Sequence, residues 1–307
     1  MDLKNKKILV TGGDGFIGSH TVDALIKKGA KVTILDNLVT GRKENLNPKA
    51  KFYRINIADP KIERIFQREK PEIIYHFAFN VLVPESVENP MLDMDSIVGA
   101  VNIFKNAQKY GVKKVIFSSS GFIYGNNKNL PFKESEPLDP ISSYAVAKNT
   151  VENYLKFFNK ISGLPYVILR YSTVCGPRQV KGAMADYIRK LAAGQQAEIY
   201  GDGTKTRDYI YIDDVIKANL MALNIADDFE EPVFNIGTGI ETTLNDLYKK
   251  IAQLLGKKAE PIYMPDRPGE QIHYCLDATK AKEVIGWQPK YNLEEGLRLK
   301  LKIEKLI

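Results

Sequence analysis

The 307-residue sequence is poor in the side chains that build covalent or metal-held frameworks: it has two cysteines, Cys175 and Cys275, and three histidines. Neither cysteine belongs to a CxxC or Cys/His spacing, so a disulfide lattice and a structural zinc site have no support, and no metal is expected. Long apolar runs are missing too. The N-terminus passes through a few apolar residues into a turn, which is too short for a signal-peptide core or a membrane span. A cytoplasmic protein without a membrane partner is the expectation. Excess charge of one sign is slight, 44 Lys and Arg against 37 Asp and Glu. The basic residues are interleaved with acids, as in Lys61-Ile62-Glu63-Arg64, which is the pattern of solvated helix faces and not of a nucleic-acid stripe. No nucleic acid partner is expected, and the mild positive balance of +7 suits an anionic small molecule.

What remains is ordinary globular composition, with 44% hydrophobic and 26% charged residues. At this length one large α/β unit with a smaller appended lobe is the natural prior. Short β-branched runs at 7–10, 31–36, 52–57, 72–78, 114–119 and 165–171 alternate with stretches of 3.6-residue periodicity, which is the signature of βαβ units and a parallel sheet. Gly29, Gly111 and Gly163 each close a periodic segment before a strand. The fold expected is α/β, a Rossmann-like doubly wound parallel sheet with a smaller C-terminal α/β substrate lobe. Its boundaries are read as 1–172 for the first unit, a return segment near 208–240, and 173–207 with 241–307 for the second lobe.

Directly after the first strand stands Thr11-Gly12-Gly13-Asp14-Gly15-Phe16-Ile17-Gly18. Glycines let the backbone approach a pyrophosphate, and the helix opening at Phe16 aims unpaired N–H groups at it. Asp36 ends the next strand, where a carboxylate can accept from both ribose hydroxyls and repel a 2′-phosphate. The cofactor expected is therefore NAD. A tight turn followed by a helix-capping Asp is the structural alternative.

The pair Tyr-xxx-Lys occurs three times, at Tyr110/Lys114, Tyr124/Lys128 and Tyr144/Lys148. On one helix face an ammonium can favour a phenolate and make the tyrosine a usable base. Gly111 and Gly125 interrupt the first two pairs. Only Tyr144 opens a continuous periodic stretch, with Ser142-Ser143 before it as a helix-start signal. Upstream, Ser118-Ser119-Ser120-Gly121 ends a strand at the carboxyl edge where open α/β sheets bind ligands, although serines there also serve as turn material.

With these stretches the chain resembles the extended short-chain dehydrogenases, and within them the UDP-hexose 4-epimerases. The likeness runs through His76-Phe77-Ala78, residues 118–125, Leu169-Arg170-Tyr171, Tyr200-Gly201-Asp202-Gly203, Arg207-Asp208-Tyr209, Arg267-Pro268-Gly269 and Gly286-Trp287-Gln288-Pro289. The resemblance implies Tyr144 as base, Ser120 as its partner on the sugar oxygen, and Lys148 as ribose ligand and the group that lowers the Tyr144 pKa. It implies a cofactor lining of Gly12, Gly15, Phe16, Ile17, Gly18, Asp36, Asn37, Asn56, Ile57, Phe77, Ala78, Phe79, Ser118 and Tyr171. For the sugar nucleotide it implies Ser120, Gly121, Tyr144, Thr173, Arg207, Arg267 and Tyr274, the two arginines clamping the diphosphate. Surface positions are the alternative for those arginines.

Departures from the family pattern fall at Asn56, Phe79, Ser96, Ser172 and Thr173. Tyr274 stands where bulk tends to exclude an N-acetyl group, favouring UDP-glucose over UDP-N-acetylglucosamine, while Gly121 is expected to open space beside Ser120. The function expected is C4 epimerisation of a UDP-hexose through a 4-keto intermediate. Other sugar-nucleotide chemistries on this fold are the alternatives: UDP-glucuronate epimerisation, 4,6-dehydration or reduction, and a non-catalytic NAD-binding role. Dehydration needs an Asp-Glu pair where Gly121-Phe122 stands. A homodimer is expected, with Ile97, Val101, Phe104, Val151, Tyr154 and Phe158 as its helical contact positions or as packing onto the sheet.

Overall fold

In the computed structural model, which describes residues 1–80 and 83–307 and only the backbone of 83 and 84, seven parallel strands form a central sheet. They are β1 (Lys7–Thr11), β2 (Lys31–Asp36), β3 (Lys51–Arg54), β4 (Ile73–His76), β5 (Lys114–Ser120), β6 (Tyr166–Tyr171) and β7 (Val233–Ile236). Across the sheet the order is β7-β6-β5-β4-β1-β2-β3, so the winding reverses between β1 and β4. The crevice at the carboxyl ends of those two strands is where an open sheet of this kind takes a ligand.

Period-two alternation explains why the strands read as unbroken apolar runs. Ile8 and Val10 of β1, Val32 and Ile34 of β2, and Val167 and Leu169 of β6 join one core layer. Leu9, Leu35 and Ile168 point into the other. Both faces are covered, so both sets must be apolar. Helix α1 (Phe16–Lys27) buries Val22 and Leu25 in the first layer. On the opposite face lie α2 (Met91–Lys109) and α3 (Ser143–Ser162), which bury Ile103, Phe104, Val151 and Leu155.

Gly29, Gly111 and Gly163 follow helix ends with positive φ, as their positions in the sequence imply. Three strands are shorter than read from sequence: β3 ends at Arg54, β4 spans only Ile73–His76 although Phe77 N still donates to Thr11 O, and β6 opens at Tyr166.

After β6 the pairing breaks into two-stranded pieces: Thr173–Cys175 with Tyr209–Tyr211, Thr206–Arg207 with Thr242–Thr243, and Glu198–Tyr200 with Ile262–Met264. Trp287 anchors the C-terminal helices, fully buried, with Nε1 donating to Asp214 O at 2.9 Å. Both cysteines are buried and unbonded. No helix among the described residues is long and apolar enough to cross a membrane.

The proposed dimer positions need correction. Phe104, Val151 and Phe158 are consumed by the core, and Ile97 and Val101 pack against it. The large apolar side chains that α2 and α3 leave exposed are Met91, Leu92, Met94 and Val98 on one helix and Val146, Tyr154, Phe157 and Ile161 on the other. Helices lying on a sheet bury their broadest stripe there, and only a lateral stripe stays free.

Candidate active site

The glycine loop after β1 is built for close backbone approach. Gly12 sits at φ +69°, and a Cβ there would stand 2.6 Å from Ala78 N; one on Gly18 would fall 2.0 Å from Gly12 O. Both contacts exclude any other residue. Gly15 is different. It leads into α1 with an extended backbone, and a Cβ on it meets only Gly12 O, at 3.2 Å. With no side chain capping α1, the free N–H groups of its first turn, at Phe16, Ile17 and Gly18, are left for an anion.

Asp36 is held beneath this loop, with Oδ1 accepting from Leu38 N at 2.8 Å and Oδ2 from Asp14 N at 3.1 Å. The carboxylate is thus fixed in direction at the carboxyl end of β2. Loop, helix terminus and acid together fit a dinucleotide: an uncapped helix start for its pyrophosphate and an oriented acceptor for its ribose. Asn37 and Asn56 each accept a local turn hydrogen bond, from Val39 N and Ala58 N, and Ile57 is buried against Gly99.

Tyr144 lies in the first turn of α3, which Ser142 caps by accepting from Ala145 N at 3.3 Å. The phenol lies near enough to the Ser120 side chain at the end of β5 for that hydroxyl to act on its proton. One turn on, the buried Lys148 donates from Nζ to Ser118 O at 2.6 Å. The other two Tyr-xxx-Lys pairs are excluded by geometry: Tyr110 ends α2 before Lys114 opens β5, and Tyr124 closes a short 3-10 turn before Gly125.

Electrostatics correct one expectation. Burial pushes the Tyr144 hydroxyl up to about 12, assisted by the Asp93 carboxylate and opposed by the Ser120 hydroxyl. Burial likewise pushes Lys148 down to about 7, with Glu152 and Asp93 holding it up. In the ligand-free protein desolvation therefore outweighs any lowering of the phenol by the ammonium. Phe79 contributes to the drying: its ring centroid lies 3.8 Å from Lys148 Nζ, and it meets Tyr144 edge-on.

Tyr274 is fully buried, stacked on Phe122 at 5.0 Å, with its hydroxyl donating to Tyr171 O at 2.9 Å. A Cβ on Gly121 would stand 2.5 Å from that hydroxyl and 2.7 Å from Leu276 Cδ2. The expectation that Gly121 opens space for the sugar is therefore wrong, since Tyr274 and Leu276 already fill it. Arg207 is buried, with Nη1 donating to Thr206 O and Gln271 O. Arg267 stacks on Tyr200. The Thr173 and Ser172 hydroxyls are buried without a hydrogen-bond partner among the described residues.

Two polar groups at the site escaped sequence reasoning. Asp93 of α2 accepts from Ser143 Oγ at 2.7 Å and acts on both Tyr144 and Lys148. Glu152 accepts from Ser119 Oγ at 2.5 Å and takes both Nε and Nη2 of Arg170, at 3.0 and 2.8 Å. A charged residue on the inward side of an apolar helix, as Glu152 is beside Val151 and Leu155, was the signal available for it.

Comparison with known proteins agrees with this geometry. Residues 8–237 match the model of the NAD dependent epimerase/dehydratase family. A UDP-glucose 4-epimerase of Mycolicibacterium smegmatis is 38% identical over 302 residues, covering 95% of this chain and 96% of that protein. The Thermotoga maritima UDP-glucose 4-epimerase, solved with UDP-glucose, superposes with a TM-score of 0.94 at 45% identity over 97% of this chain and 98% of that one. The UDP-N-acetylglucosamine 4-epimerase of Methanobrevibacter ruminantium, solved with UDP-N-acetylmuramic acid, gives 0.90 at 37% identity, covering 98% and 99% of the two chains. A glycine loop with its ribose acid, a Ser-Tyr-Lys set at the sheet edge and likeness over nearly the full length converge on one assignment: the chain belongs to the NAD dependent epimerase/dehydratase family.

Proposed function

We propose that this chain is an NAD-dependent isomerase that inverts the C4 hydroxyl of a UDP-hexose, with UDP-glucose and UDP-galactose as its substrate pair. The observation that carries the reading is the placement of the Tyr144 phenol beside Ser120 at the carboxyl edge of the sheet, with the buried Lys148 one helical turn on. NAD held on the glycine loop would supply reversible hydride acceptance beside C4, so the inversion would need no net oxidant.

The chain's own residues bind, orient and move the proton. The loop with Gly12, Gly15 and Gly18, together with Phe16 and Ile17, holds the pyrophosphate, and Asp36 takes the ribose. Asn37, Asn56, Ile57, Phe77, Ala78, Phe79, Ser118 and Tyr171 line the rest of that half. Tyr144 takes the proton of the C4 hydroxyl while Ser120 hydrogen-bonds to the same oxygen. Lys148 contributes the opposite charge that favours the phenolate once the site is assembled.

Residues 173–207 and 241–307 carry the sugar nucleotide, Thr173 beside the sugar and Arg207 and Arg267 at the diphosphate, where planar guanidinium groups suit paired phosphate oxygens. Tyr274, pinned by Phe122 and by the Tyr171 carbonyl, leaves a narrow wall beside Gly121, which supports an unsubstituted hexose over its N-acetylated relative. The working state is a homodimer joined through the exposed stripe on α2 and α3.

The test is to incubate the purified protein, without added cofactor, with UDP-glucose, UDP-N-acetylglucosamine and UDP-glucuronate and to separate the products. Conversion of UDP-glucose to UDP-galactose is expected. Tyr144→Phe should lose roughly 10²- to 10⁴-fold in rate while still retaining NAD. A variant that inverts at the wild-type rate overturns the assignment of the base.

A further inference from the structure

Arg267 lies on the segment 265–270, just after the strand Ile262–Met264. Its guanidinium carbon sits 3.3 Å from the Tyr200 ring centroid, and among the described residues it makes no hydrogen bond or ion pair. That is unusual company for a free cation, because Asp266 and Glu270 flank it in sequence. A carboxylate this near is the ordinary partner of an arginine.

Both acids are turned to Lys205 instead. Lys205 Nζ meets Asp266 Oδ1 at 2.5 Å and Glu270 Oε2 at 3.0 Å. The lysine side chain is 8% exposed, against 65% for Asp266 and 19% for Glu270. Burial works against its charge, yet the two carboxylates hold its proton above the usual range. Two acids and one arginine give residues 265–270 a net charge of −1 (−2 and +1), and Lys205 brings the cluster to zero.

We infer that Lys205 is a positioning residue for sugar-nucleotide binding: by engaging Asp266 and Glu270 it leaves the Arg267 guanidinium unpaired for a diphosphate and neutralises the segment that the anion approaches. The inference rests on the reading of Arg267 given above. Without Lys205 the partly buried Glu270 loses its counter-ion, and Arg267 is the nearest replacement by sequence. Pairing there spends the donors that phosphate oxygens need, and any carboxylate left unpaired repels them.

The test uses the full-length protein with its NAD, and reads UDP affinity by titration calorimetry alongside KM and kcat for the sugar nucleotide. Lys205→Met should weaken UDP binding and raise KM by about tenfold, the scale of one lost charge-assisted contact, with kcat within about twofold. Lys205→Arg should stay near wild type, and adding Glu270→Gln to Lys205→Met should recover most of the affinity. A purely structural role would instead lower kcat and the melting temperature together, with no recovery from Glu270→Gln, and would overturn the inference. Should Lys205→Met be recovered unfolded, Lys205→Gln takes its place with the same expectation. Arg267→Ala separates the two claims: if it loses UDP while the Lys205 variants bind as wild type, the role of Lys205 is wrong. If Arg267→Ala itself binds as wild type, the reading of Arg267 falls and takes the inference with it.

Discussion

Asp14 sits between two glycines of the phosphate loop with its carboxyl enclosed and neither oxygen hydrogen-bonded among the described residues. Burial, and behind it the neighbouring Asp36 carboxylate, raise its pKa from 3.8 to about 6. The native state therefore holds this proton more tightly than the unfolded chain does. Stability falls as pH rises from about 4 to about 6, and the full cost is present above that window. Asp14→Ala should remove this dependence. In denaturant unfolding of NAD-free protein, the variant should gain on the order of 2 kcal/mol relative to wild type between pH 4 and pH 7.5. Parallel stability curves would show that the carboxyl is not the source. The glycine pattern marks the loop but is silent about Asp14, because its enclosure comes from the chain after β2, where Arg42 N and Asn45 Nδ2 donate to Asp14 O.

Helix α3 carries Tyr144, the proposed base, and its position relative to β5 and β6 depends on one buried ion pair. Glu152 is fully buried, takes the fork of Arg170 from β6, and also accepts from Ser119 in the strand that presents Ser118 and Ser120. Replacing it with Gln leaves Arg170 buried without a counter-charge, a change that costs about 3–5 kcal/mol in comparable sites. Glu152→Gln should accordingly lower the melting temperature by several degrees, and it should lower kcat because the spacing of Tyr144 and Ser120 loosens. An unchanged melting temperature would sink this account of how α3 is held. The helix itself was legible in the sequence, since its period, its Ser142 cap and its closing Gly163 all lie within one local stretch. Tyr144 could be chosen among three candidate pairs because glycine breaks the other two. The short strands after β6 were only partly legible. Segments of two or three residues have no period to detect, and Thr206–Arg207 finds its partner at Thr242–Thr243. Gly121 was misread for the same reason: the Tyr274 hydroxyl that fills its space arrives from far along the chain.

At the scale of the whole molecule, the stripe on α2 and α3 is the feature the fold leaves unresolved within one chain. Val98 is 52% exposed, Phe157 50% and Ile161 55%; by helical spacing Met94 and Val98 share one face, as do Val146, Phe157 and Ile161, on two helices that pack against each other. Exposed apolar faces are the usual material of an association site, and the proposed two-fold dimer would use them as one self-complementary patch. Symmetry makes the test sensitive, because every substitution enters the interface twice. Val98→Glu with Phe157→Glu should place four carboxylates in the contact, and light scattering on the eluting protein should then report a monomer where the wild type gives a dimer. Both positions face away from the core, so the circular dichroism spectrum should be unchanged, and Tyr144 and Ser120 should remain paired within each chain. A double variant that still elutes as a dimer would move the interface elsewhere on the molecule. A wild type that is monomeric at micromolar concentration would remove the dimer from the proposal while leaving the set Ser120, Tyr144 and Lys148, which one chain supplies, where it stands.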